Sequence, residues 1–212
     1  MLPYYIAIKI MGISERKQRE KESIRIKILE VATQLFLEKG YEGTSIRTIS
    51  DAIEYSPATI YLYFKDKNDI FWQIQCKAFD LLNEHLKEAQ SVMNPFERLK
   101  AIGKVYLNFA FDNPQYYDLM FILRSPMEVL DEEKTWEQGI KLYKTIEDTV
   151  EACMVLDKIK GKDHQVVAFT FWSYIHGQCA LLIRKRLPMH EKNHLRYLIG
   201  QSFEFIFDIF SK

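Results

Sequence analysis

The 212 residues carry 29 Lys and Arg against 29 Asp and Glu, a formal net charge of zero, which excludes a generic polyanion binder because such affinity comes mainly from cations that displace counterions. Apolar residues make up 48% of the chain while Gly and Pro number only 8 and 6, and the apolar spacing is mostly three and four, so the sequence predicts an all-α protein of about nine helices. Charge has to be read locally, and it is uneven only at the start.

There Lys9, Arg16, Lys17, Arg19, Lys21, Arg25 and Lys27 outnumber Glu15, Glu20 and Glu22. Residues 1–10, MLPYYIAIKI, are apolar but lack a positive n-region and do not read as a signal peptide. Met11 opens a more ordinary polar start, so residues 1–10 are expected to be disordered or absent from the native protein. Residues 1–22 form an N-terminal extension, expected to be partly disordered.

The first helix is expected over Ser23 to Lys39, with an extension back through the charged arm as an option. Ile24, Ile28, Leu29, Val31, Ala32, Leu35 and Phe36 form its apolar stripe, and Gly40 is placed as a left-handed C-cap. Thr44 or Ser45 can cap a second helix that carries Ile46, Ile49 and Ile53, with Gly43 easing the turn. Ser56-Pro57 then restarts helix on a segment whose outward side chains are small or hydrogen-bonding. That is the pattern of a helix-turn-helix, in which the second helix has to enter a DNA major groove about 12 Å wide.

Asp66 and Asp69 mark a capping-box-like start for a long fourth helix to about Gln90. Its apolar members Ile70, Phe71, Ile74, Phe79, Leu82 and Leu86 make it the expected link between the DNA-reading unit and the remaining helices. Asn94-Pro95 and Asn113-Pro114 are cap-plus-proline starts for helices at about 95–111 and 114–123. A break around Arg124 to Met127 precedes helices at about 131–156, 163–187 and 190–210. Cys76, Cys153 and Cys179 have no CxxC spacing and read as buried reduced thiols of a cytoplasmic protein. No apolar run is expected to approach the roughly 20 residues of a membrane span.

The residues Ile28-Leu29, Ala32, Leu35-Phe36, Lys39-Gly40-Tyr41, Thr44-Ser45, Ile49, Ser56, Thr59-Ile60-Tyr61, Tyr63-Phe64 and Lys67 resemble, in order and spacing, the tetracycline-repressor (TetR) family of bacterial transcription regulators. The resemblance implies a helix-turn-helix domain over residues 23–68 and a ligand-binding and dimerisation domain over 69–212. It implies a cytoplasmic, non-enzymatic homodimer that binds a palindromic double-stranded operator and responds to a small-molecule effector, without a cofactor or metal. Carried over position by position, Arg47 falls where the family's second helix contacts bases, and Pro57, Ala58 and Tyr61 fall on the reading face of the third. Thr59, Tyr63 and Lys67 fall where phosphates are held, and Ser45 and Ser56 complete the DNA-facing set.

Three points depart from the family pattern. Ile53-Glu54-Tyr55 stands where the turn usually reads Ala-Gly-Val. Either Glu54 tolerates positive φ, at a cost of about 1 kcal/mol, or the turn differs. Pro57 and Ala58 replace the usual Lys and Gly, which removes a positive charge and leaves an apolar face suited to thymine methyl groups.

In the larger domain, Trp172-Ser-Tyr-Ile-His176-Gly177 resembles a Trp-His-Gly-type regulator domain. Phe109, Tyr116, Tyr117, Met120, Phe121, Phe169, Trp172 and His176 are the candidate pocket residues, and aromatic walls with few charges suit an apolar or aromatic effector. At helical spacing each of them can equally be ordinary core. The last two helices carry more apolar surface than one face can bury, which predicts homodimerisation through them.

His190-Glu191-Lys192-Asn193-His194 matches HExxH, the zinc-hydrolase signature with His190 and His194 as ligands and Glu191 as base. No later His completes a three-His site, and Glu204 lies ten residues on in the same helix, about 15 Å along its axis. A zinc-dependent hydrolase is therefore the alternative reading to a repressor released by an effector.

Overall fold

The computed structural model describes residues 3–122 and 137–212, with the side chains of residues 3–14, 192 and 193 left outside that description. The expected break around Arg124 to Met127 and a helix start near 131 lie outside the described residues. Among those described, nine α-helices and no strand are found: α1 (Pro3–Lys39), α2 (Ile46–Ile53), α3 (Pro57–Tyr61), α4 (Lys67–Gln90), α5 (Pro95–Asp112), α6 (Pro114–Tyr117), α7 (Glu137–Val155), α8 (His164–Ile183) and α9 (Lys192–Phe210). One isolated antiparallel bridge joins Ile159 and Ser211. The all-α expectation holds.

The chain divides into two compact units, and the division falls inside α4, between Gln75 and Cys76. In the first unit, α1 is longer than the Ser23–Lys39 segment, because the charged arm continues the same helix: the extension expected to be partly disordered over residues 1–22 is helical from Pro3 on. Its apolar stripe Ile28, Leu29, Ala32, Leu35 and Phe36 is buried with Ile49, Ile53, Ile60, Phe64, Ile70 and Phe71. Phe36, Tyr41 and Phe71 close this core as a trio of rings with centroids 5.2–5.7 Å apart. Gly40 does take the left-handed conformation (φ 73°). Gly43 answers a different need, since a Cβ there would stand 2.3 Å from the Lys39 carbonyl oxygen.

The second unit builds its core from α4 (Phe79, Leu82, Leu86), α5 (Leu99, Ile102, Tyr106), α7 (Leu142, Ile146, Val150), α8 (Phe171, Ile175) and α9 (Phe203, Phe207). Asn94 and Asp163 cap α5 and α8 by accepting from the N–H groups two and three residues on, the first as its position before Pro95 predicts. α6 runs directly into one π-helical turn, Asp118–Ile122, a form that is rare and concentrated at functional sites.

α8 ends four residues before the expected 187. Lys185 sits at φ 51°, its N–H reaches the Leu182 carbonyl at 3.0 Å and the Arg186 N–H reaches Leu181 at 2.9 Å. Those two bonds are a Schellman closure, which ends a helix without glycine or proline. Contrary to expectation, α8 is also long and apolar enough to cross a membrane, since its 20 residues contain an 18-residue stretch of mean hydropathy 1.4. Its Val167, Ala168, Phe171, Ile175 and Cys179 are buried in the helical core, and a core helix needs that composition as much as a span does.

Candidate functional site

The recognition unit is held by two serine caps and one strained turn. Ser45 Oγ accepts from the Thr48 N–H at 3.1 Å while Thr48 Oγ1 accepts from the Ser45 N–H at 2.8 Å, a reciprocal capping box at the start of α2. Ser56 Oγ accepts from the Thr59 N–H at 3.2 Å and starts α3, with Pro57 in the first turn. Between them Glu54 takes φ 61°, ψ 39°. Its N–H bonds to Asp51 and that of Tyr55 to Ser50, so the turn keeps its left-handed geometry without glycine. The Lys27 ammonium donates to the Ile53 carbonyl at 3.4 Å and lies 5.6 Å from the Tyr55 ring centroid, a cation at the C-terminal end of α2.

Glu54→Gly is expected to raise stability by about 0.5–1 kcal/mol, because the left-handed penalty disappears at a partial cost in chain entropy. Urea denaturation measures it. An unchanged or lower midpoint means that Glu54 is held by more than the turn.

The short α3 buries Ile60, presents Pro57, Ala58 and Tyr61 to solvent and keeps Thr59 half-buried, and in the turn that follows it Tyr63 is half-buried and Phe64 buried. The side chain of Arg47 is 85% exposed and only loosely paired with Asp51, at 4.0 Å. An exposed pair of this kind contributes little, so the guanidinium is available to a partner. Lys67 is engaged within the unit, where its ammonium donates to the Tyr41 carbonyl at 3.0 Å and lies 3.8 Å from that ring's centroid. Ser45, Arg47, Ser56, Pro57, Ala58, Tyr61 and Lys67 thus lie along one short segment, though Ser45, Ser56 and Lys67 already have structural partners. Leu62 was missed by the sequence reading and is 74% exposed beside Tyr61. The signal was available: Leu62 breaks the apolar spacing that Ile60 and Phe64 define.

In the second unit a cavity of about 320 Å³ is lined by Phe121, Phe169 and Trp172 together with Ile140, Leu142, Tyr143, Lys144 and Glu147 of α7. Three of the eight candidate residues therefore share a cavity. The Tyr143 and Trp172 rings meet edge to face at 5.4 Å and form its aromatic wall. Phe109, Tyr117 and Met120 are buried core, Tyr116 packs partly buried against it, and none of the four lines the cavity.

His176 belongs to a polar cluster behind that wall. Its Nδ1 stands 2.9 Å from the Tyr117 hydroxyl and 3.2 Å from that of Tyr106, and the Tyr117 hydroxyl also donates to the His176 carbonyl at 3.0 Å. The Trp172 indole faces Tyr106 as well, but outside hydrogen-bond geometry. Burial lowers the His176 pKa below the usual histidine value, and burial raises both tyrosines well above theirs. All three groups are neutral at physiological pH.

A depressed histidine pKa has a sign. The neutral ring is tolerated in the fold and the cation is not, so this contribution is complete above the unfolded value of about 6.5 and is lost as pH falls through the folded value, at up to about 1.4 kcal/mol per pH unit. His176→Gln is expected to flatten the acid limb of the stability–pH curve below about 6.5. An identical limb in the variant would exclude His176 as its source.

The HExxH match does not form a metal site. α9 starts at Lys192, with Glu191 at its N-cap position, so His190 precedes the helix on which both ligands would have to sit. The His190 and His194 rings lie 5.6 Å apart, but among the described residues no group of three His, Cys, Asp or Glu is placed to hold an ion. Glu204 is committed elsewhere, 3.0 Å from Lys104 and 3.5 Å from Lys100, and the Lys104 hydrogen bond lowers its pKa. The hydrolase alternative has no support.

The geometry defines a helix-turn-helix protein with a second, cavity-bearing helical unit. Residues 28–74 match the model for bacterial regulatory proteins of the tetR family, and residues 99–206 match the tetracyclin repressor-like C-terminal domain. This chain belongs to the TetR family. It is 31% identical over 96 residues, 45% of this chain, to the Biofilm operon icaADBC HTH-type negative transcriptional regulator IcaR of Staphylococcus aureus strain Newman. The chain spans about half the length of the curated relatives it matches, 50% in that case.

Similar solved structures include AibR in complex with isovaleryl coenzyme A and operator DNA, with TM-score 0.67, 23% identity, and coverage of 84% of this chain and 96% of that one. The ketosteroid transcriptional regulator KstR2 of Mycobacterium tuberculosis gives TM-score 0.66 at 16% identity, over 89% and 95%. At these identities the likeness concerns the fold. The Trp-His-Gly likeness of residues 172–177 finds no support in these matches.

Proposed function

We propose that this chain is a cytoplasmic, non-enzymatic transcriptional repressor that acts as a homodimer on a palindromic operator and is released by a small apolar or aromatic effector. The observation that carries this reading is the two-sided α3: Ile60 and, just beyond it, Phe64 are buried, while Tyr61 and Leu62 stand in solvent on a segment fixed by the Ser56 cap and the Glu54 turn. A rigid, exposed segment of small and hydrogen-bonding groups is what major-groove readout requires. The DNA-facing set is Ser45, Arg47, Ser56, Pro57, Ala58, Thr59, Tyr61, Tyr63 and Lys67, to which Leu62 is added. IcaR is a negative transcriptional regulator and AibR was solved with operator DNA and a coenzyme A ester, and both support a ligand-responsive repressor.

Residues 23–68 are assigned to DNA reading and 69–212 to effector binding and dimerisation. The effector occupies the cavity beside Phe121, Tyr143, Phe169 and Trp172, whose lining is mostly apolar. Selection of bound DNA from a random pool tests the reading, and a palindrome is the expected product. No enrichment, or an unsymmetrical site bound by a monomer, would overturn it. Arg47→Ala is expected to weaken operator binding by roughly 1–3 kcal/mol and relax one base position, and unchanged discrimination in a shift assay would remove Arg47 from the base-reading set.

A further inference from the structure

A second concavity, separate from the aromatic cavity, lies where the α8–α9 link passes the end of α5. It measures about 570 Å³ and has aliphatic walls, chiefly Leu181, Ile183, Leu187 and Leu195, with Phe111 and Pro114 opposite. Its charged lining is cationic, Lys185 and Arg196, with the His190 ring beside them and no carboxylate among the lining residues. Neither Lys185 nor Arg196 forms an ion pair among the described residues, whereas the adjacent Arg184 is held by Asp118 at 3.2 Å.

The surrounding sequence has the same bias, a second local excess that corrects the expected balance of charge beyond the N-terminal arm. Between residues 184 and 196, Arg184, Lys185, Arg186, Lys192 and Arg196 stand against a single acid, Glu191, in a chain of zero net charge. Acids do occur close by. Asp112 and Glu204 line the neighbouring groove, which shares Phe111 and Arg196 with this one, but Glu204 is paired with Lys104 and Lys100.

We propose that this groove binds a small amphipathic carboxylate, with its hydrocarbon tail along Leu181, Ile183, Leu187 and Leu195 and its head group on Arg196 and Lys185. The volume lies within the roughly 300–1,000 Å³ of small-molecule sites. A guanidinium takes a carboxylate bidentately, which neither an alcohol nor a cation of equal tail can match. A fully hydrocarbon occupant would leave the basic rim without purpose, and a nucleic acid would leave the aliphatic floor exposed. The site does not depend on the DNA-binding reading, so the two can fail separately.

Calorimetric titration of the full chain with decanoate, decanol and decyltrimethylammonium tests it. The expected result is saturable binding of one decanoate per chain, with the alcohol and the cation at least about tenfold weaker. The double variant Lys185→Gln/Arg196→Gln changes two exposed side chains. It is expected to reduce decanoate affinity to that of decanol, while Phe169→Ala, in the other cavity, leaves it unchanged. Equal affinity for decanoate and decanol would overturn the proposal, as would loss in Phe169→Ala with the double variant unaffected, which would place the ligand among the aromatic residues. Uptake of anionic phospholipid vesicles without saturable decanoate binding would assign the groove to a membrane surface instead. Decanoate binding that vanishes as chain concentration rises would assign it to a second copy. Either result would also overturn the proposal.

Discussion

Replacing Tyr197 and Phe205 by aspartate together is expected to leave the fold intact, make the chain monomeric and lower operator affinity by about 10²–10⁴-fold. The two side chains are 60% and 63% exposed and lie eight residues apart on α9, on one face with Ile209. On α8, Val166 is also exposed. A second copy packed on α8 and α9 covers these side chains most simply.

An exposed Phe→Asp change disturbs little in the monomer, whereas burying two carboxylates in an interface costs several kcal/mol. One reading head presents only a five-residue helix, α3, to its groove, so operator affinity depends on the second head binding as a tethered, effectively intramolecular event. Light scattering, circular dichroism and a shift assay on the same preparations separate the possibilities. A double variant that remains dimeric, or a native chain that is monomeric at micromolar concentration, would remove α8 and α9 from the interface. Gly177 supplies an independent probe, since a Cβ there meets nothing within 4 Å in the chain itself. Alanine at that position is expected to gain about 1 kcal/mol of helix stability in a monomer and to weaken a dimer whose partner helix lies there.

Much of the architecture was legible because caps are local. Ser45, Ser56-Pro57 and Asn94-Pro95 announce helix starts from side chains that bond within three residues, and the structure places the starts there. Helix ends were less legible. Glu54, Asp157 and Lys185 all take positive φ, and glycine is the only strong sequence signal for that conformation. Only Glu54 was open to suspicion, because the resemblance placed a glycine at its position.

The cavity was the least legible part. Phe109 and Phe121 are both aromatic residues at helical spacing, yet one is core and the other lines the cavity. Which neighbour a side chain meets is decided by how helices pack, and the α7 contribution of Ile140, Tyr143 and Glu147 carries no local mark at all. HExxH failed for the opposite reason, because a literal pattern has no chemistry until both histidines share one helix face.

Gly103→Val is expected to cost at least about 3 kcal/mol, a large share of the roughly 5–15 kcal/mol that holds a domain together. A Cβ at Gly103 would stand 2.7 and 2.9 Å from Phe203 Cε2 and Cζ and 3.0 Å from Ile175 Cδ1, so α5 touches α8 and α9 at this point through the absence of a side chain. Phe203 cannot swing aside freely, since it is 2% exposed and its ring centroid lies 5.1 Å from that of Phe207. For Gly103→Ala two effects compete: about 1 kcal/mol gained from helix propensity against roughly 1–3 kcal/mol of overpacking. The buried ring decides for a net loss, and valine adds two methyl groups to the same clash. If this is right, Phe203→Leu should recover much of the loss in the Gly103→Ala background while destabilising the native chain, a non-additive cycle readable in urea denaturation. Strict additivity, or a Gly103→Ala chain more stable than the native one, would mean that the three helices can separate by a few tenths of an ångström at no cost, and that Gly103 does not set their spacing.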